Sequence, residues 1–140
     1  MGDDLASANV NRTYSLSAMS VAIFTFMLIF LYPRYVSGEV DGTLFQATLI
    51  VMGLATFSLV FASFHYYGAS LGSRLDDDDR AQLARRADRF WVIGYTLLFL
   101  APSMVLFTVG LVAVGSVWFL LWLAYVLFAI LLFPRVQTSR

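Results

Sequence analysis

The chain has no cysteine and no lysine, a single histidine, and no Asp, Glu or Arg inside any of its four long apolar runs. Each absence removes a class of activity. Without cysteine there is no disulfide, no thiol redox chemistry and no thiolate metal site. Membrane enzymes need a nucleophile, a general base or a metal site facing water, and one histidine with no intramembrane carboxylate does not supply these. Proton- or sodium-coupled transport normally relies on buried acids, which are missing too. The expectation is therefore a protein with no catalytic residue, no metal and no cofactor. Formal net charge is zero, which argues against nucleic acid as a partner. All nine basic residues are arginine, and no function is read from that.

What is present is apolar length. A hydrocarbon core about 30 Å thick needs roughly 20 apolar residues at helical rise. Four runs approach or exceed that length: 16–32, 44–67, 90–110 and 116–133. They leave no room for a separate soluble domain. The fold expected is all-α, one polytopic domain over residues 1–140, with four transmembrane helices in an antiparallel bundle. The N-terminus carries Asp3 and Asp4 and only Arg12 before the first run, without the basic start of a secretory signal, so the first span is expected to stay in the chain.

Arginine placement orients the chain. Arg12, Arg74, Arg80, Arg85, Arg86, Arg89, Arg135 and Arg140 would lie on one side, and only Arg34 on the other. By the positive-inside rule both termini and the 68–89 loop face the cytoplasm, and a plasma (inner) membrane location follows. Tyr14, Tyr66, Tyr67 and Trp91 fall at the cytoplasmic interface on this map, and Tyr32, Tyr35 and Trp118 at the outer one, the depth that amphipathic rings prefer.

Spans one and four end on aromatic-Pro-Arg, as Tyr32-Pro33-Arg34 and Phe133-Pro134-Arg135, which reads as a helix stop with an arginine reaching for headgroups. The outer loop 36–43, with Glu39 and Asp41, reads as a solvated turn. The short apolar link 110–116 implies a tight hairpin between spans three and four. In the loop 68–89 the order is acids, then alanines, then arginines. Asp76 to Asp79 suit the positive end of a helix dipole better than a calcium site, because four consecutive aspartates on a helix point in different directions. Arg85, Arg86 and Arg89 would then contact lipid headgroups.

A few polar groups lie within the spans. His65 is placed as an interfacial side chain hydrogen-bonded to backbone, Tyr or headgroup, with a pH-sensitive gate as its functional reading. Pro102 should kink span three and free the Leu98 carbonyl, which Ser103 or a neighbouring hydroxyl would satisfy. Ser17, Ser20, Thr25 and Ile29 along span one form either a packing face towards span two or the lining of a narrow path, and packing is the favoured reading.

One stretch is similar in spacing to the first helix of the prokaryotic relatives of the lysosomal potassium-leak channel, which carry Arg and then Phe-Ser-Asp. Here Arg12 is followed by Leu16-Ser17-Ala18 and Ala22-Ile23, with Ala18 where that family has its Asp. Arg86-Ala87-Asp88-Arg89 and Leu97-Leu98-Phe99-Leu100 resemble the approach to its third helix, without the polar partner expected there. The family has more spans per repeat than this chain. The resemblance implies passive ion conduction and no more. The sequence thus leads to a small, non-catalytic membrane protein that packs with itself or with another membrane protein, its partners being the bilayer and a homo-oligomer or a second membrane protein. The alternative is an oligomeric passive ion or small-solute channel.

Overall fold

The structure is a computed structural model that describes residues 2–71 and 76–137, and side chains from residue 8 to 129 with the exception of 9 and 72–75. Arg74 and Arg140 lie outside the described residues. Four helices follow one another, α1 (Gly2–Val36), α2 (Gly42–Ser70), α3 (Asp77–Thr108) and α4 (Val112–Gln137), and no strand occurs among the described residues. Each contains a stretch long and apolar enough to cross a membrane. The chain is a multi-pass integral membrane protein.

A repeat of seven residues organises the packing. On α2 the buried positions are Phe45, Met52, Leu59 and Tyr66, alternating with Thr48, Ala55, Ala62 and Ala69. On α3 the buried small residues Ala87, Gly94, Ala101 and Thr108 keep the same spacing, with Ser103 buried outside it. A strict seven-residue period holds one seam against a neighbouring helix, and small side chains in that seam bring the two backbones together. The result is close: a Cβ built on Gly94 would stand 3.0 Å from the Ala55 carbonyl oxygen. The same period continues on α1, where Thr13, Ser20 and Met27 alternate with Ser17 and Leu31 in the buried set. Helices pack in chain order, α1 on α2, α2 on α3 and α3 on α4, with α2 and α3 as the most extensively paired. Among the described residues α1 and α4 form no extensive pairing with each other.

Helix ends follow from specific groups. Asp41 caps α2 by accepting from Leu44 N–H at 2.8 Å. Asp76 caps α3, accepting from Asp77 N–H, and Asp77 to Asp79 occupy its first turn. The charged segment after the cap is continuous with span three, so the link between α2 and α3 is much shorter than the 68–89 loop. The proline stop at Tyr32 is corrected: α1 runs on through Pro33 to Val36, because proline removes only one donor and the chain carries the helix past it. The actual terminator is Gly38, at φ +75°. Its N–H bonds the Tyr35 carbonyl at 3.1 Å and Glu39 N–H bonds that of Arg34 at 2.9 Å. Gly110, at φ +80°, ends α3 in the same way, with Leu111 N–H reaching the Leu106 carbonyl. The α4 backbone likewise passes Pro134 and reaches Gln137. It also starts at Val112, ahead of the expected Ser116, which makes the last hairpin tighter still.

Candidate functional site

Most polar side chains of the apolar helices are spent within the fold. Ser20 and Thr56 hydroxyls meet across α1 and α2 at 2.6 Å, and Thr48 and Thr108 hydroxyls across α2 and α3 at 3.2 Å. Ser17 donates to the Thr13 carbonyl and Ser63 to that of Leu59, both one turn back in their own helices. Gln46 donates to the Tyr35 hydroxyl at 3.1 Å. In hydrocarbon an unpaired donor costs several kcal/mol, so this internal pairing is what makes these hydroxyls tolerable.

The four span-one residues do not share one face. Ser17 and Ser20 are buried in the seam, whereas Ile29 is 61% exposed and Thr25 is exposed beside it. Position 25 is out of phase with the seven-residue repeat of 13, 20 and 27, which explains the division. His65 is half-buried, with Nδ1 2.7 Å from the Phe61 carbonyl oxygen. A carbonyl only accepts, so Nδ1 carries the proton there. Its ring also lies 5.4 Å from that of Phe90. Pro102 is exposed within α3. Ser103 does not serve the Leu98 carbonyl: its hydroxyl donates instead to the Gly115 carbonyl at 2.9 Å and ties α3 to α4. Arg85, Arg86 and Arg89 are exposed on the polar side of early α3.

One cluster joins charge, aromatic rings and three helices. It lies where the apolar runs of α1 and α3 begin. Tyr66 of α2 is buried, and its hydroxyl donates to Asp88 Oδ1 of α3 at 2.5 Å. Against them pack Val10, Ala62, Ala87, Phe90 and Trp91. Arg12 of α1 stands over the Trp91 ring, 5.0 Å from its centroid. A guanidinium over an indole is the strongest form of cation–π contact. From Trp91 a ladder of rings descends α3: Trp91 stacks on Tyr95 at 4.9 Å, and Tyr95 meets Phe99 at 4.6 Å. Tyr125 of α4 joins at 6.1 Å from Tyr95 and 5.7 Å from Phe99. One turn earlier on α4, Trp122 donates to the Thr96 carbonyl at 2.8 Å.

In the sequence, Arg12 served for topology and for the family resemblance, and Asp88 for that resemblance alone. The available signal was positional, since Arg12 and Trp91 both stand at the edge of an apolar run. That α1 reaches α3 at that level is a property of the fold. Among the described residues no three His, Cys, Asp or Glu side chains come together. Comparison with protein-family models, with curated proteins and with solved structures finds no match to this chain.

Proposed function

We propose that this chain is a small, non-catalytic membrane protein that acts by packing its helices against further copies of itself or against other membrane proteins. The observation that supports it is the internal use of the span hydroxyls, at Ser17, Ser20, Thr48, Ser63, Ser103 and Thr108, which leaves a single copy without a continuous polar path. α4 adds to the case. Among the described residues it packs mainly on α3 and turns Trp118, Leu120, Leu121, Leu127 and Phe128 outward. With lipid as the alternative neighbour, helix association depends on shape and on a few polar contacts, and an outer helix of this kind is available for both.

The threading that accompanies this reading places both termini and the α2–α3 link in the cytoplasm, on the strength of the arginine bias, in a plasma (inner) membrane. Passive permeation through an oligomer is the competing reading. It would have to use outward groups such as Thr25 and Ile29, since Ser17 and Ser20 are already taken up in the α1–α2 seam. Mass measurement of the assembly in native lipid particles, followed by ion flux in liposomes, tests the choice. An assembly larger than one chain that passes no ions is the expected result; ion flux above the empty-liposome level overturns it.

A further inference from the structure

We infer that the cleft between α1 and α4, floored by the aromatic ladder of α3, binds one anionic glycerophospholipid, with its phosphate on Arg12. Three independent features converge on this ligand.

The first is an exposed, positioned cation. Arg12 is held on the face of Trp91 and is itself exposed. The acid of this cluster, Asp88, accepts from Tyr66. Stacking consumes the face of a guanidinium and leaves its N–H edge for an oxyanion, an arrangement suited to a bidentate phosphate.

The second is the ladder itself. Trp91, Tyr95 and Phe99 follow one another at four-residue spacing and cover about 12 Å along the helix axis, close to the depth of one leaflet's acyl region. α1 approaches this ladder at Trp91 and α4 approaches it at Tyr95 and Phe99 through Tyr125, yet α1 and α4 form no extensive pairing with each other among the described residues. The rings are therefore only partly covered: Trp91, Tyr95 and Tyr125 are half-buried and Phe99 is exposed. A flexible apolar chain laid along them fills a cleft that rigid helices leave open.

The third is a pair of phenols at the right depth. The hydroxyls of Tyr95 and Tyr125 form no hydrogen bond among the described residues. Tyr95 lies four residues, about 6 Å, below Trp91. In a glycerophospholipid the ester carbonyls sit a similar step below the phosphate, and they are acceptors that a donor-bearing ring at that level can use. Phosphate, ester and acyl chain thus find cation, phenol and aromatic face in the same order.

Charge makes the headgroup anionic: a zwitterionic lipid brings its own cation to a site already occupied by Arg12. The inference does not depend on whether the protein has a protein partner. To test it, the full chain is delipidated in detergent and offered equal amounts of phosphatidylglycerol and phosphatidylcholine. Retained lipid is then counted by native mass spectrometry. The intact chain is expected to keep phosphatidylglycerol in preference, and Arg12→Gln to lose that preference by about fivefold, the effect of one arginine near a charged headgroup. Tyr95→Phe combined with Tyr125→Phe should weaken both lipids alike, which separates the ester contact from the phosphate contact. Equal retention of the two lipids by the intact chain overturns the inference, as does an unchanged preference in Arg12→Gln. Displacement of bound phosphatidylglycerol by inorganic phosphate would show a soluble anion to be the ligand and overturn it too. Circular dichroism checks the fold of each variant. If Arg12→Gln does not fold, Arg12→Met decides the matter, since it keeps an apolar stem over Trp91 and gives up the charge: a reduced preference supports the site and an unchanged one removes it.

Discussion

Gly94 of α3 faces Leu59 of α2 across a gap that admits no side chain: a Cβ placed at position 94 would lie 2.8 Å from Leu59 Cγ and 3.0 Å from the Ala55 carbonyl oxygen. Neither neighbour is the loose end of a flexible chain. Gly94→Ala must therefore move α2 and α3 apart at the centre of their seam. Overpacking of this kind costs about 1–3 kcal/mol, more than the gain of up to about 1 kcal/mol from replacing a helical glycine. A net loss of stability is expected, read as a lower unfolding midpoint in a detergent titration. Gly53→Ala on the same pair of helices is the control. Nothing stands within 4 Å of its Cβ, so the helix-propensity gain should appear unopposed and raise the midpoint.

Tyr66 and Asp88 join α2 to α3 at the other end of that seam, 2.5 Å apart. Tyr66 is buried and Asp88 exposed, so removing the hydroxyl strands no buried acceptor. Tyr66→Phe should cost about 1–2 kcal/mol, the lower range for a hydrogen bond to a charged group. Asp88→Asn keeps an acceptor and should cost less. A double-mutant cycle measures the pair directly, and a coupling energy near zero would show that the contact contributes nothing.

The sequence carried the four spans, the acidic start of α3 and the tight α3–α4 link because those depend on local chemistry: apolar length, capping aspartates and a glycine past a helix end. The small-residue repeat was equally present in the text of the chain, as Thr48, Ala55, Ala62 and Ala69 and as Ala87, Gly94, Ala101 and Thr108. It stayed hidden because in a uniformly apolar helix every face looks alike until a partner selects one. Pro33 shows the reverse error. A local rule predicted a stop at Tyr32, and one more helical turn followed until Gly38 supplied the left-handed residue that ends it. For the Arg12–Trp91 contact the sequence offers only that both residues stand at the edge of an apolar run; placing them at one level needs the helix order and the register of α1 on α2.

Ser20 and Thr25 stand five residues apart on α1 and should respond to the same substitution in opposite ways. Ser20 is fully buried and shares a hydrogen bond with Thr56, so Ser20→Val loses that bond and adds volume to a filled seam. The cross-helix bond alone is worth about 0.6 kcal/mol in a membrane protein, and the overpacking adds about 1–3 kcal/mol. Thr25→Val exchanges an exposed hydroxyl for a methyl and should leave the unfolding midpoint unchanged or raise it. Ion flux in liposomes completes the comparison. Under the packing reading neither variant changes it, and a flux altered by Thr25→Val alone would return the outward face of α1 to the pore.

The absence of cysteine makes the threading directly measurable, because any thiol introduced is the only one in the chain. Asp78 is exposed in the first turn of α3, and Glu39 is exposed beyond the end of α1. The arginine bias puts the first on the cytoplasmic side and the second outside. In intact cells an impermeant maleimide should therefore label Glu39→Cys and leave Asp78→Cys unmodified until the membrane is opened. Both substitutions fall on solvated turns away from the seams, so neither outcome can be blamed on misfolding. Labelling of Asp78→Cys from outside would invert the whole chain, and with it the leaflet in which the Arg12–Trp91 site meets its lipid.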